Sequence, residues 1–260
     1  MLKILKYSFY DLMRSRWSYV YFLFYLLLGF VLLFLNNDVS KAVITLMNVI
    51  IVLVPLIGTI FGVMYYYNSK EFTELLLAQP IKRSSIFLGQ YLGVALSLTL
   101  SLVLGLGIPF VLYGLFRSDE IFDFTLLLIT GSFLTSIFTA LAFNISLSNE
   151  NKIKGFGYAV LIWLFLAVIY DGLFLISLIV FEEYPLDSFS LVATMFNPID
   201  LSRTLILLKL DISALLGYTG AVFKQFFGTN FGLIVSFGAL LLWTVIPVWR
   251  LSYKANKKDF

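Results

Sequence analysis

The sequence predicts an all-α integral membrane protein with six transmembrane helices, and three observations predict it. Six apolar stretches are each long enough to cross a bilayer. The chain is 60% hydrophobic and only 13% charged over 260 residues. Its basic residues sort to alternate ends of those stretches. The spans read as Trp17–Leu35, Ala42–Tyr67, Tyr91–Phe116, Phe124–Leu147, Phe156–Phe181 and Phe231–Trp249. Each holds about 19 to 26 residues, against the ~20 that a helix rising 1.5 Å per residue needs to cross ~30 Å of hydrocarbon. Runs such as Leu161–Ile169 are apolar on every side, where a soluble bundle would alternate polar and apolar faces. The chain reads as a single domain, 1–260, because no hydrophilic linker interrupts this pattern.

Residues 1–16 form their own element. Leu2, Leu5, Phe9, Leu12 and Met13 fall on one side of a helix, with Lys3, Lys6 and Arg14 largely on another. This pattern predicts an interfacial helix lying along the inner leaflet before the first span. No small-residue cleavage site follows it, so no cleavable leader is expected. With the N-terminus in the cytoplasm, thirteen Lys and Arg fall on the inner side, from Lys3 to Lys258. Only Lys41, Arg117, Arg203, Lys209 and Lys224 fall outside. The positive-inside rule therefore places both termini in the cytoplasm. The net charge of +3 reflects topology and contact with membrane lipid, and points to no nucleic acid. Trp17, Tyr65–Tyr67 and Trp249 fit an inner aromatic belt.

Span two holds Pro55 and span three holds Gly105, Gly107 and Pro109, so both should bend. Small-residue pairs at Gly58/Gly62, Gly89/Gly93 and Gly228/Gly232 allow close helix approach. Between these spans lies the inner loop 68–90. Glu71 and Glu74 sit near the start of a short helix, where acidic charge suits the N-terminal dipole. Leu75, Leu76 and Leu77 supply an apolar ridge, Gln79 follows, and Pro80 ends the helix. Ser84 or Ser85 is placed to cap the next helix. An acidic, leucine-rich helix on the cytoplasmic face suits docking of a soluble protein; a plain connecting turn is the alternative.

Span five carries Asp171, the only acid well inside a span. An intramembrane carboxylate costs ~2.5–3.5 kcal/mol on insertion scales, so it needs a partner or a wet cavity. Tyr170, Asn48 and Asn144 are the candidate partners, for either a conformational hinge or a helix–helix hydrogen bond. The outer segment 182–230 is too apolar for a solvated loop and too interrupted for a span. Asn197, Pro198 and Asp200 mark a helix start, with Asn as N-cap and Pro at the first helical position. Leu201, Leu205, Leu208 and Ile212 continue a helical stripe, Gly217 and Gly220 break it, and Ala221–Phe227 forms a second short piece. Re-entrant or cap helices follow from this pattern.

Several chemistries are excluded by what is missing. Without Cys or His, thiol nucleophiles, disulfides, the usual zinc sites and His relays are ruled out. The five methionines form no soft-metal ladder, and no G-x-x-x-x-G-K-[ST] loop is present to bind ATP. No enzyme activity is expected in this chain. A secondary carrier would want several intramembrane charges and an internal repeat. An intramembrane hydrolase would want a second Asp in the spans or Ser/Lys chemistry. A passive membrane anchor for a complex stays open.

The inner loop, with its acidic helix, Leu75-Leu76-Leu77, Pro80-Ile81-Lys82-Arg83 and Gly89-x-x-x-Gly93, resembles the first cytoplasmic loop of ABC-2-type permeases. That family has six helices after an N-terminal interfacial helix, and the resemblance spans the chain. It implies that 68–90 is a coupling loop that docks into an ATPase subunit through Glu71, Glu74, Leu75, Leu76, Leu77 and Gln79. Two positions depart from the family pattern: Phe72-Thr73 replaces a Gly-Thr pair, and Gln90 stands where Lys often follows the glycine. Asn197-Pro198-Ile199-Asp200-Leu201-Ser202-Arg203, with Trp163 and Tyr170-Asp171, is similar to the permeases of nitrous oxide reductase maturation transporters. This likeness implies a homodimer in the bacterial inner membrane, with cytoplasmic ABC ATPase subunits that bind ATP and Mg²⁺. It also implies a periplasmic β-helical copper-handling partner contacting Asn197, Pro198, Asp200 and Arg203. Copper would then stay on the partner, and this chain would need no cofactor. A generic ABC-2 exporter of a drug, lipid or other small molecule is the competing reading.

Overall fold

The computed structural model describes the chain apart from residues 37–38, 119, 182, 185, 210–224, 227–228 and 259–260. All regular structure among the described residues is helical. Helix α1 (Leu2–Arg14) is followed by α2 (Arg16–Asn36), α3 (Val39–Asn68), the short α4 (Lys70–Leu77) and α5 (Arg83–Leu112). A 3-10 turn (Leu115–Arg117) leads to α6 (Ile121–Ser148). Helix α7 (Lys152–Leu164) passes through a π turn (Phe165–Ile169) into α8 (Tyr170–Val180) without leaving the helix axis. Then come α9 (Asp187–Met195), α10 (Pro198–Lys209) and α11 (Asn230–Lys257). Six of these are long and apolar enough to cross a membrane: α2, α3, α5, α6, the continuous α7–α8, and α11. They match the six predicted spans.

Helix ends differ from the expected ones for identifiable reasons. Helix α5 begins at Arg83, before the expected Tyr91, and neither Ser84 nor Ser85 caps it. Instead the Ser84 amide donates to Asn256 Oδ1 at 3.2 Å, so the cap comes from the far end of the chain. Helix α7 starts at Lys152 because the Asn151 side chain accepts from the amides of Ile153 and Lys154, at 2.9 and 3.2 Å. Helix α4 stops at Leu77, three residues before Pro80.

The buried core is built on α5 and α6, with α3 packed along α6 and both α1 and α2 packed along α5. Close approach explains the α1 contact. A Cβ at Gly93 would lie 2.6 Å from Ser8 Cβ and 2.9 Å from the Phe9 amide nitrogen. The buried stripe of α1 is therefore Ile4, Ser8 and Leu12. Leu2, expected on the apolar face, is 77% exposed. Ser8 makes the closest approach, over Gly93, and Ile4 packs over Gly89 one turn before it. Gly58 and Gly62 serve the α3–α6 seam in the same way, against Thr135, Thr139 and Ala142. Gly228 lies outside the described residues, as do Ile212, Gly217, Gly220 and most of Ala221–Phe227.

Both chain ends meet at one end of the bundle. Arg83 Nη1 donates to the Lys258 carbonyl at 2.6 Å, and Lys258 Nζ to the Leu147 carbonyl at 2.8 Å. The start of α1 lies against Gly89 near the beginning of α5. Helix α4 and the turn 149–151 complete this terminal face, where Tyr67 Oη donates to the Asn149 carbonyl at 2.7 Å.

Candidate functional site

The first site is α4 on the terminal face. It follows α3 after one residue, Ser69, whose φ of −91° and ψ of 12° interrupt the regular helix between them. Consecutive residues on a helix point about 100° apart. The three leucines accordingly do not form one ridge. Leu75 points outward and is 68% exposed, Leu76 is half-buried, and Leu77 packs on the core. Glu71, Glu74 and Gln79 are exposed, with Glu74 paired to Lys70 at 3.8 Å. This surface pair contributes little to stability.

The two departures from the family pattern meet here. Gln90 Nε2 on α5 donates to Thr73 Oγ1 at 2.8 Å, both side chains being buried. Thr73 Oγ1 in turn donates to the Ser69 carbonyl at 2.8 Å. Phe72 stacks on Tyr7 of α1 with ring centroids 4.4 Å apart. One short helix is thus fastened to α1 and to α5 by positions that looked merely irregular in the sequence. A polar residue inside a glycine-flanked apolar run, as Gln90 is, was the signal that a partner existed.

The second site lies where the outer segment meets span five. Helices α9 and α10 form a hairpin whose turn, at Asn197, touches the π turn of the span. Asn197 Nδ2 donates to the Leu166 carbonyl at 2.8 Å and to Asp200 Oδ2 at 2.7 Å. Its Oδ1 accepts from the Ile199 amide at 3.0 Å, which is the expected N-cap. Arg203 Nη1 reaches Asp171 Oδ2 at 3.0 Å and Asp200 Oδ1 at 3.4 Å. Tyr170 Oη donates to the Ala193 carbonyl at 2.6 Å, and Trp243 Nε1 to the Met195 carbonyl at 3.1 Å. Leu166 is the fifteenth residue of the 29-residue span, so the hairpin turn reaches the span's middle.

Asp171 therefore pairs with Arg203, and none of the expected partners serves it. Asn48 donates to the Ile44 carbonyl of its own helix, and Asn144 to the Ala140 and Pro247 carbonyls. Asn197, Pro198 and Asp200 are buried, and the Arg203 side chain is 28% exposed. Their burial directs them to contacts within the chain and leaves them little surface for another protein. Helix α10 does not lie flat over the bundle: Ile199, Leu201, Leu205, Ile206 and Leu207 are all buried, against α3, α6 and α11. The network joins the hairpin to span five at two points one turn apart, 166 and 171. It carries two carboxylates and one guanidinium, which together act as an electrostatic latch between the outer segment and the span.

Comparison with known proteins places these features in one family. A probable ABC transporter permease protein, NosY, of Stutzerimonas stutzeri is 28% identical over 186 residues. The match covers 67% of this chain and 62% of that relative's length. A family model described as ABC-2 family transporter protein matches residues 4–216, from α1 through the latch and into the outer segment. The chain belongs to the ABC-2 transporter family, with six helices long and apolar enough to cross a membrane among its described residues.

Proposed function

We propose that the chain works as one half of a homodimeric transporter in a bacterial inner membrane, with both termini and α4 in the cytoplasm. A separate ATPase subunit, carrying ATP and Mg²⁺, docks on Glu71, Glu74, Leu75 and Gln79. Its closure pushes α4, which pulls on α5 through Gln90 and on α1 through Tyr7. The observation that supports this reading is the exposed Leu75 on a helix otherwise pinned to two neighbours. An exposed leucine on an acidic helix fits an apolar groove on a soluble subunit.

Leu75→Ser in the complex purified with its ATPase is the direct test. Stimulation of ATP hydrolysis by the permease should fall by about tenfold, consistent with loss of one interface anchor worth ~1–2 kcal/mol. The spans should unfold at a nearly unchanged temperature, because Leu75 is 68% exposed and buries little surface in the fold. Full stimulation after the change would remove the docking assignment.

The likeness around Asn197–Arg203 supports a finer role in nitrous oxide reductase maturation, with a periplasmic copper-handling protein above the outer segment. Since the latch residues are buried, that partner is proposed to grip exposed positions nearby, among them Tyr184 and Asp187. Purifying the chain from cells that express a copper-handling β-helical protein beside it tests this. Co-purification that survives Tyr184→Ser together with Asp187→Lys would place the contact elsewhere.

A further inference from the structure

A groove of about 1030 Å³ runs between α7 and α11, from the edge of the terminal face up to the turn before Asn197. Helix α6 forms its floor, and Met195 and Phe196 at the end of α9 form its roof. The walls are apolar, with Leu161 and Phe165 facing Leu242, Trp243 and Ile246. Its lower end is cationic: Arg250 and Lys254 lie one turn apart on α11, and no carboxylate lines the groove among the described residues. Lys254 Nζ donates to Ser148 Oγ at 2.7 Å, which holds the ammonium at the mouth. Among the described residues Arg250 makes no ion pair.

Depth identifies the occupant. From Trp243 to Lys254 is a helical rise of about 16 Å, close to half of the ~30 Å hydrocarbon core. The apolar slot is therefore one leaflet deep and ends in two cations at headgroup level. Guanidinium and ammonium groups placed there suit a phosphate, and basic pockets between transmembrane helices hold anionic headgroups. We propose that this groove binds an anionic glycerophospholipid of the leaflet on the side of the termini, its phosphate between Arg250 and Lys254 and an acyl chain along Leu161 and Trp243. The proposal depends on the chain being a multi-pass membrane protein and is independent of ATPase docking at α4.

The cysteine-free sequence makes the test clean. The full chain carrying Leu242→Cys is labelled with a fluorophore and reconstituted in nanodiscs. Quenching by brominated-chain phosphatidylglycerol is compared with quenching by brominated-chain phosphatidylcholine at equal mole fraction. The anionic lipid should quench several times more strongly. R250Q/K254Q should bring the two lipids to equal quenching, each cation accounting for roughly fivefold in occupancy. R250K/K254R, which keeps both charges, should retain the preference and guards against a folding defect in the neutral variant. Equal quenching by both lipids in the labelled parent, or a preference that survives R250Q/K254Q, overturns the proposal. So does a disulfide between two Leu242→Cys chains on mild oxidation, which would show a second copy seated in the groove.

Discussion

Arg203 serves two carboxylates with one nitrogen, and that asymmetry sets the ranking of substitutions in the latch. Replacing Arg203 by Gln leaves Asp171 and Asp200 facing one another without a cation. Replacing Asp171 by Asn leaves a neutral Arg203–Asp200 pair. Breaking a buried pair by removing one partner costs ~3–5 kcal/mol, and the lower end applies because Arg203 and Asp171 keep 28% and 32% of their side-chain surface. Arg203→Gln should thus cost about 3 kcal/mol, and Asp171→Asn about 1 kcal/mol, the size of a single modest hydrogen bond. Thermal unfolding in detergent, followed by tryptophan fluorescence, should show the larger drop for Arg203→Gln; a reversed order would mean that Asp171 is held by something else. Both residues stood out in the sequence, one as a charge inside a span and the other as the end of an Asn-Pro-x-Asp-x-x-Arg run. Their pairing was not legible, because 32 residues separate them and nothing local states that the outer segment folds down to the span's middle. The amides expected to serve Asp171, Asn48 and Asn144, donate to backbone carbonyls instead.

Helices were the most legible element, since an apolar run of bilayer length has few other solutions. Their ends and faces were less so, and for a common reason: the deciding group lies elsewhere in the chain. Asn256 caps α5 from α11, and Gly93 decides which face of α1 is buried. The second case gives a prediction. Gly93→Val forces two γ-methyls into a gap already closed by Ser8 and the Phe9 backbone, so α1 must lift from α5. Overpacking of this kind costs ~1–3 kcal/mol. Limited proteolysis after Lys6 or Arg14 should become faster while cleavage near Lys152 stays unchanged. Equal protection of α1 in the variant would show that Gly93 is not the contact that seats it. Ser8→Gly in the same background should restore part of the protection, because it removes the atom nearest the new side chain. A small residue at every fourth position was visible in the sequence; which helix it faced was not.

At the scale of the whole molecule, the chain is a bundle with a built-up terminal face, and the coupling proposed for it reduces to whether motion of α4 reaches α5. The acidic loop, the leucines and the family likeness were all legible before the fold, but the contact proposed to transmit the push was hidden in two positions that differ from the family pattern. Thr73 and Gln90 are 17 residues apart and buried together. Gln90→Leu tests them in a way that separates transmission from stability. The amide's Nε2 bond to Thr73 is lost, yet Thr73 Oγ1 keeps the Ser69 carbonyl as acceptor, so no buried donor is orphaned. Gln90 Oε1 is itself buried without a partner, and leucine removes that unsatisfied atom. The unfolding temperature should therefore stay level or rise. If α4 drives α5 through this bond, stimulation of the ATPase should nevertheless fall several-fold, on the order of the ~1 kcal/mol that one buried hydrogen bond contributes. A variant that is stable and fully coupled would mean that the push travels by Tyr7 and Phe72 into α1 alone, and Tyr7→Ala would then carry the whole loss.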